Sequence, residues 1–291
     1  MDKMLKGGSF VNRYRFTGTL ETRSPLHIGS GEKIGQPEVS LVIKDYNGKP
    51  LIPGSTLRGV MRHWLLSILT GFGQQWAVDR NYREASLADL SQENQVKQVM
   101  TNFSWLELLF GTPFHEGKVE VWDAACQIQQ NLQAPDTLLG WNSASLTYTD
   151  TSVVINPSTG TAMEDLLYNA EVVPPGVKFE FNLVGQNLSD LEVGLILLAL
   201  QGFNSSIYPI RIGARNGRGY GQMKYIPGSI YKLKKSDLKA WAEGMLNSYN
   251  TDHSPESAGY YALPELPDAE QEKLIQEAKS QVKNQMEASH V

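Results

Sequence analysis

The residues most suited to chemistry lie in a short glycine-rich run, Gly213-Ala214-Arg215-Asn216-Gly217-Arg218-Gly219-Tyr220-Gly221, with four glycines and two arginines. Small side chains and many main-chain N–H groups suit a phosphodiester backbone lying against the chain. Gly217-x-Gly219 is not a dinucleotide fingerprint, because a strand and not a helix follows it. A second run, Ile52-Pro53-Gly54-Ser55-Thr56-Leu57-Arg58-Gly59, opens a helix. A helix start offers unpaired N–H donors and the positive end of a dipole to an anion. Ser55 and Thr56 add hydroxyls, and Arg58 and Arg62 stand one turn apart on the face away from the apolar stripe. It is not a P-loop, since Val60-Met61 stands where Lys-Ser/Thr is required. The plain readings are a flexible hairpin turn for the first run and an ordinary capped helix with solvated arginines for the second.

A third run is Leu26-His27-Ile28-Gly29-Ser30-Gly31-Glu32-Lys33. His27 reads either as an acid/base or phosphate contact, or as a structural histidine at a strand end. The carboxylates Glu38, Asp45, Asp123, Asp150, Glu164 and Asp165 are scattered and read mostly as surface groups. No HExxH, DxDxDG or Gly-x-Ser-x-Gly pattern occurs, so no metal-ligand set is expected.

Several elements must position these runs. Residues 13–23 alternate, with Tyr14, Phe16 and Leu20 on one face and Arg13, Arg15, Thr17, Thr19 and Glu21 on the other, which predicts a half-buried strand. The Gly/Pro-rich stretch 25–38 reads as a loop, 39–45 as a strand, and Asn47-Gly48 as a turn. Leu57, Val60, Met61, Trp64, Leu65, Ile68 and Leu69 form one helical apolar stripe, with Ser55 as the expected N-cap. Strands are expected at 117–123 and 177–184. Ser189 and Glu192 form a capping box ahead of an apolar helix. Another strand follows at 222–226, where Arg218 to Tyr225 fits the RNA-recognition strand pattern except that Gln222 replaces an aromatic. From Pro264 a charged helix reads as a solvated face or as a docking helix for a partner subunit. The order fits an α+β fold: an antiparallel sheet backed by two helices, ferredoxin-like or RNA-recognition-like, with an inserted helical region.

The chain has 291 residues, 41% apolar and 20% charged, enough for a sizeable core. One cysteine, Cys126, excludes a disulfide framework and a cysteine-rich zinc site. No apolar leader or run of membrane-spanning length is seen, so a cytoplasmic protein without membrane contact is expected. The net charge is −5, yet residues 1–60 carry nine Lys/Arg against five Asp/Glu, while residues 251–291 carry three against eight. The acidic tail accounts for the net charge, and the cations collect near the glycine-rich runs. Screening limits exposed charge to about 8 Å, so a local patch is what a phosphate chain meets.

Five segments in order, PLHIGSG (25–31), VIKDYNGKPLIPGSTLRGVMR (42–62), FGTPFHEGKVEVWDA (110–124), INPSTGTA (155–162) and GARNGRGYGQ (213–222), resemble the RAMP superfamily, and within it the backbone subunits of type III CRISPR–Cas effector complexes. The resemblance covers roughly residues 13–226. It implies a ferredoxin-like palm at 1–226, with an insertion at about 72–104 and a thumb at about 147–170, followed by a partly helical extension at 227–291. It implies a subunit stacked with other type III subunits in a filament along a CRISPR RNA that pairs with target RNA. His27, Ser30, Lys33, Lys44, Gly54, Ser55, Thr56, Arg58, Arg62, Gly213, Arg215, Asn216, Gly217, Arg218 and Gly219 would hold the RNA. Val153, Val154, Ile155 and Thr159 of the thumb would wedge into the guide–target duplex.

The sequence departs from the family where target-cleaving members carry an aspartate. Counted back from Val42-Ile43-Lys44-Asp45, that place falls on Val39, with Glu38 beside it. Asn156 likewise stands where an aspartate is common. A structural guide-binding subunit with no permanently bound cofactor is therefore the leading expectation. The alternatives are a Mg²⁺-dependent endoribonuclease using Glu38, and a precursor-processing nuclease using His27 and Lys44.

Overall fold

The computed structural model describes residues 8–35, 38–79, 88, 90–113, 115–127, 140–155, 158–248 and 264–288. The strands are β1 (Asn12–Thr22), β2 (Gly29–Ile34), β3 (Val39–Val42), β4 (Leu51–Ile52), β5 (Val119–Val121), β6 (Ala124–Ala125), β7 (Tyr148–Ile155), β8 (Ala162–Val172), β9 (Lys178–Gln186) and β10 (Met223–Lys234). The helices are α1 (Gly54–Leu69), α2 (Gln92–Thr101), α3 (Trp105–Phe110), α4 (Asp190–Gly202), α5 (Leu238–Ser248) and α6 (Asp268–Ala288).

The central sheet has the order β10-β1-β9-β5, with every neighbouring pair antiparallel. Following the chain through β1, α1, β5, β9, α4 and β10 gives β-α-β-β-α-β, consistent with the expected ferredoxin-like plan. Tyr14, Phe16 and Leu20 of β1 and Phe179, Phe181 and Leu183 of β9 are buried toward the helices. The α1 stripe buries Leu57, Met61, Trp64, Leu65 and Leu69 against them. Ser189 caps α4 as predicted, accepting from the Glu192 N–H, while the Glu192 carboxylate accepts from the Ser189 N–H at 2.8 Å.

Alternation misplaces one residue of β1. Arg15 lies on the outer face yet is buried, because the rings of Trp122 and Tyr231 flank its guanidinium at 5.4 and 5.7 Å. It also donates twice to Asn182 Oδ1, at 2.9 and 2.7 Å. Cation–π contact and hydrogen bonds replace the water an outward arginine would use.

The second sheet has the order β2-β3-β8-β7, with β3 and β8 parallel. Here the expectation of a loop over 25–38 is corrected, because residues 29–34 form β2, paired back on β3. All six β2 residues are exposed, so no apolar alternation marks the strand in sequence. The antiparallel β7–β8 hairpin spans most of the 147–170 segment that the resemblance assigns to a thumb.

The charged tail also differs from expectation. It is not solvated all round: Leu274, Ala278 and Val282, four apart, pack α6 onto α4 of the same chain. Gly194 of α4 makes the close approach possible, since a Cβ there would lie 2.6 Å from the Ala278 carbonyl oxygen. Among the described residues, no helix is long and apolar enough to cross a membrane.

Candidate nucleic-acid interface

The glycine-rich loop is built as a closed turn. Arg211 bridges Gln222, the Ile212 N–H donates to the Gly221 carbonyl at 3.0 Å, and Asn216–Arg218 form one 3₁₀ turn. Two of its glycines serve the fold itself. Gly213 and Gly221 have positive φ, and side chains there would strike the His27 carbonyl oxygen at 2.3 Å and the Ile212 carbonyl oxygen at 2.0 Å. Gly217 and Gly219 face open space, and Arg218 between them is exposed. The loop therefore presents uncrowded main chain and one cation outward, with the Arg218 and Gly219 N–H groups donating to the Arg215 and Asn216 carbonyls at 2.8 and 3.0 Å.

The loop is fastened on two sides. The Ala214 N–H donates to the His27 carbonyl at 2.9 Å, and the Gly221 N–H to the Pro25 carbonyl at 2.9 Å. On the other side Asp150 of β7 accepts from Arg215 Nη1 at 3.2 Å and from the Tyr220 hydroxyl. Burial, then the Asp150 hydrogen bond and charge, push the Tyr220 hydroxyl up to about 12. Arg215 is thus an ion-paired group, whereas Arg218 is a projecting one.

His27 is 6% exposed. Its Nδ1 lies 2.7 Å from the Glu171 carbonyl oxygen, which can only accept, so Nδ1 carries the proton there. Nε2 lies 3.4 Å from Ser40 Oγ. Lys44 Nζ lies 2.6 Å from Glu171 Oε1. The two residues considered for general acid/base work both end on Glu171 and have structural partners.

Glu38 sits by the β2–β3 turn, exposed, with Lys33 Nζ 2.8 Å from its carboxylate. Ser30, also on this hairpin, bonds back to the Leu41 carbonyl at 3.3 Å. Mg²⁺ is usually held by one or two carboxylates together with waters and substrate phosphates. Glu38 supplies one carboxylate, here paired to Lys33. Among the described residues, no three His, Cys, Asp or Glu side chains converge on a common point.

At the start of α1, Ser55 is not the N-cap. Pro53 holds that place, and the Gly54 N–H donates to Asp123 Oδ1 at 2.7 Å. A carboxylate therefore already uses the first N–H of the helix. Gly54 is packed tightly, and a Cβ there would lie 2.1 Å from the Val121 carbonyl oxygen. Thr56 is half-buried and Ser55 exposed. Arg58 donates to the Phe110 carbonyl at the end of α3. Burial, then the neighbouring Arg62, lower its proton affinity. Arg62 has no ion pair among the described residues.

One groove joins these parts. It has a volume of about 520 Å³ and lies between α1 and segment 207–211, with Gly59 and His63 on one wall and Arg211 and Asn216 on the other. The glycine-rich loop and α1 thus face common space, through the middle of the helix rather than its start. Sequence reasoning missed Tyr208, Arg211 and Asp150. The available signal was Ile207-Tyr208-Pro209, apolar residues in a stretch otherwise reading as a turn.

Of the residues expected to form a thumb, Val153 is 42% exposed and Thr159 exposed. The side chains of Val154, Ile155, Glu164 and Asp165, and residues 156–157, lie outside the described residues.

A model of the RAMP superfamily matches residues 19–224. The CRISPR system Cmr subunit Cmr6 of Pyrococcus furiosus is 23% identical over 239 residues, spanning 72% of this chain and 68% of that protein.

Proposed function

The chain belongs to the RAMP superfamily, and from that premise we propose that it is a subunit of a type III CRISPR complex that holds single-stranded guide RNA by its backbone. The observation that carries this reading is the glycine-rich loop. It offers open main chain at Gly217 and Gly219 with Arg218 between them, and it shares a groove with α1. Glycine main chain that a phosphate can approach closely, together with arginine, grips a backbone without reading sequence, which suits a guide whose sequence varies. The similarity to a Cmr subunit supports assembly with other subunits and pairing of the bound guide with target RNA. The β7–β8 hairpin acts as the thumb, fixed to the loop through Asp150.

The test is titration of the intact chain with short single-stranded RNA at several salt concentrations. Arg62→Ala with Arg218→Ala is expected to weaken binding and to flatten the salt slope by about 0.7 per lost phosphate contact. An unchanged slope would remove these arginines from the interface. Incubation of assembled complex with target RNA and Mg²⁺ adds a second check. Cleavage opposite this subunit, lost in Glu38→Ala, would replace the structural reading with a nuclease.

Asp150→Asn is expected to act in the opposite direction. It keeps an acceptor for Tyr220 but removes the charge that occupies Arg215. A partly exposed ion pair contributes about 0.5–1 kcal/mol, so RNA affinity should rise roughly two- to five-fold. Weaker binding would mean that Asp150 shapes the loop more than it competes with phosphate.

A further inference from the structure

Gly59 stands in the interior of α1, and only proline is a poorer helix former than glycine. A Cβ built there meets nothing within 4 Å, so the fold does not require this glycine. Gly54, on the same helix, is required by its contact with β5. A helix-interior glycine with no internal cause leaves room for something that approaches the backbone from outside.

That space opens on the groove between α1 and segment 207–211. Trp64 and Tyr208 stack there with ring centroids 6.3 Å apart, and Trp64 Nε1 donates to the Tyr208 carbonyl at 2.8 Å. Tyr208 is half exposed, and Ile207 beside it is 94% exposed. Arg211 donates to the Asn216 carbonyl at 2.9 Å, which ties the groove wall to the glycine-rich loop. Among the described residues, no carboxylate lines the groove, and Arg62 lies three residues after Gly59 on α1.

Resting on the backbone-grip reading above, we infer that this groove takes one nucleotide of the single-stranded RNA beside the glycine-rich loop. The ribose-phosphate crosses α1 at Gly59, and the base lies against Tyr208 and Ile207. Three features favour a nucleotide over a protein segment. The groove continues the loop surface through Asn216, its charged lining group is a cation, and its volume lies in the range of small-molecule pockets. Contact with an aromatic face tolerates any base, as a variable guide requires.

The test uses the intact chain with oligouridylate and oligoadenylate as probes. Gly59→Ala is expected to raise the melting temperature by about 2–4 °C, as a better helix former should in a chain of this size. The same variant should bind both probes about tenfold more weakly, the loss of one modest nucleotide contact. Ile207→Glu, at an exposed position, should leave melting unchanged and weaken both probes similarly. If both variants bind as the parent does while Arg62→Ala with Arg218→Ala still weakens binding, the groove holds no nucleotide and the phosphate grip stands. If both keep RNA affinity but no longer join a neighbouring subunit of the complex, the groove docks protein and the inference is wrong. If the parent binds neither probe, the backbone-grip reading fails and takes this inference with it.

Discussion

Replacing Lys118 by alanine is expected to destabilise the fold by about 3–5 kcal/mol. Lys118 and Glu192 are 2% and 0% exposed at their side chains. Lys118 Nζ reaches both Glu192 oxygens at 2.7 Å and the Asn187 carbonyl at 3.0 Å. Glu192 also accepts from the Ser189 N–H and hydroxyl at the start of α4. Removing the ammonium leaves a buried carboxylate with no counter-charge and a main-chain acceptor without its donor. The desolvation already spent on both ions is then not recovered. Urea denaturation of the single variant should show the midpoint fall with the slope unchanged. Lys118→Met with Glu192→Gln keeps an acceptor for the capping box and removes both charges, so it should recover most of the loss. A single variant within about 0.5 kcal/mol of the parent, the range of an ordinary surface substitution, would refute the assignment.

This pair also bears on the proposed RNA surface. Lys118 directly precedes β5, and β5 leads through Trp122 to Asp123, which caps the first N–H of α1.

The frame was legible in the sequence where one face of an element is buried and the other wet. The α1 stripe, the β1 alternation and the Ser189–Glu192 box each encode a local geometry that tertiary packing keeps. β2 was not legible, because its pairing is made by main chain and all its side chains are exposed. Nor was Arg15, whose burial depends on Trp122 and Tyr231 from distant strands. The glycine runs were visible, but their division of labour was not. Whether a glycine faces open space, as Gly59 and Gly217 do, or a neighbouring carbonyl, as Gly54 and Gly213 do, depends on contacts far apart in sequence. The same holds for Asp150, which composition alone leaves as a surface carboxylate and which in the fold occupies Arg215.

Glu171→Ala is expected to cost about 2–4 kcal/mol, concentrated where the β7–β8 hairpin joins β3. Its Oε1 meets Lys44 Nζ and Thr147 Oγ1, each at 2.6 Å, and its Oε2 accepts the Val42 N–H at 3.1 Å. Alanine would leave a lysine, a hydroxyl and a buried main-chain N–H without that acceptor. Burial pushes the Glu171 carboxyl up, but the bonds from Lys44, Thr147 and Val42 together with the Lys44 charge outweigh it and hold it below the usual range. A lowered folded value stabilises the fold fully above the unfolded glutamate pKa of about 4.3, and this contribution is lost as pH falls through and below it. The protection factor of the Val42 amide, with the intrinsic pH dependence of exchange divided out, should therefore fall on acidification toward that range in the parent. Glu171→Gln keeps acceptors but cannot titrate, so its exchange should be faster than the parent's at neutral pH and lack this pH step. A glutamine variant with the parent's full step would place the titration on another group. Because β8 carries the hairpin and Asp150 ties that hairpin to the glycine-rich loop, loss of Glu171 should also loosen the proposed thumb relative to the proposed RNA grip. Target engagement should then weaken more than binding of guide RNA alone.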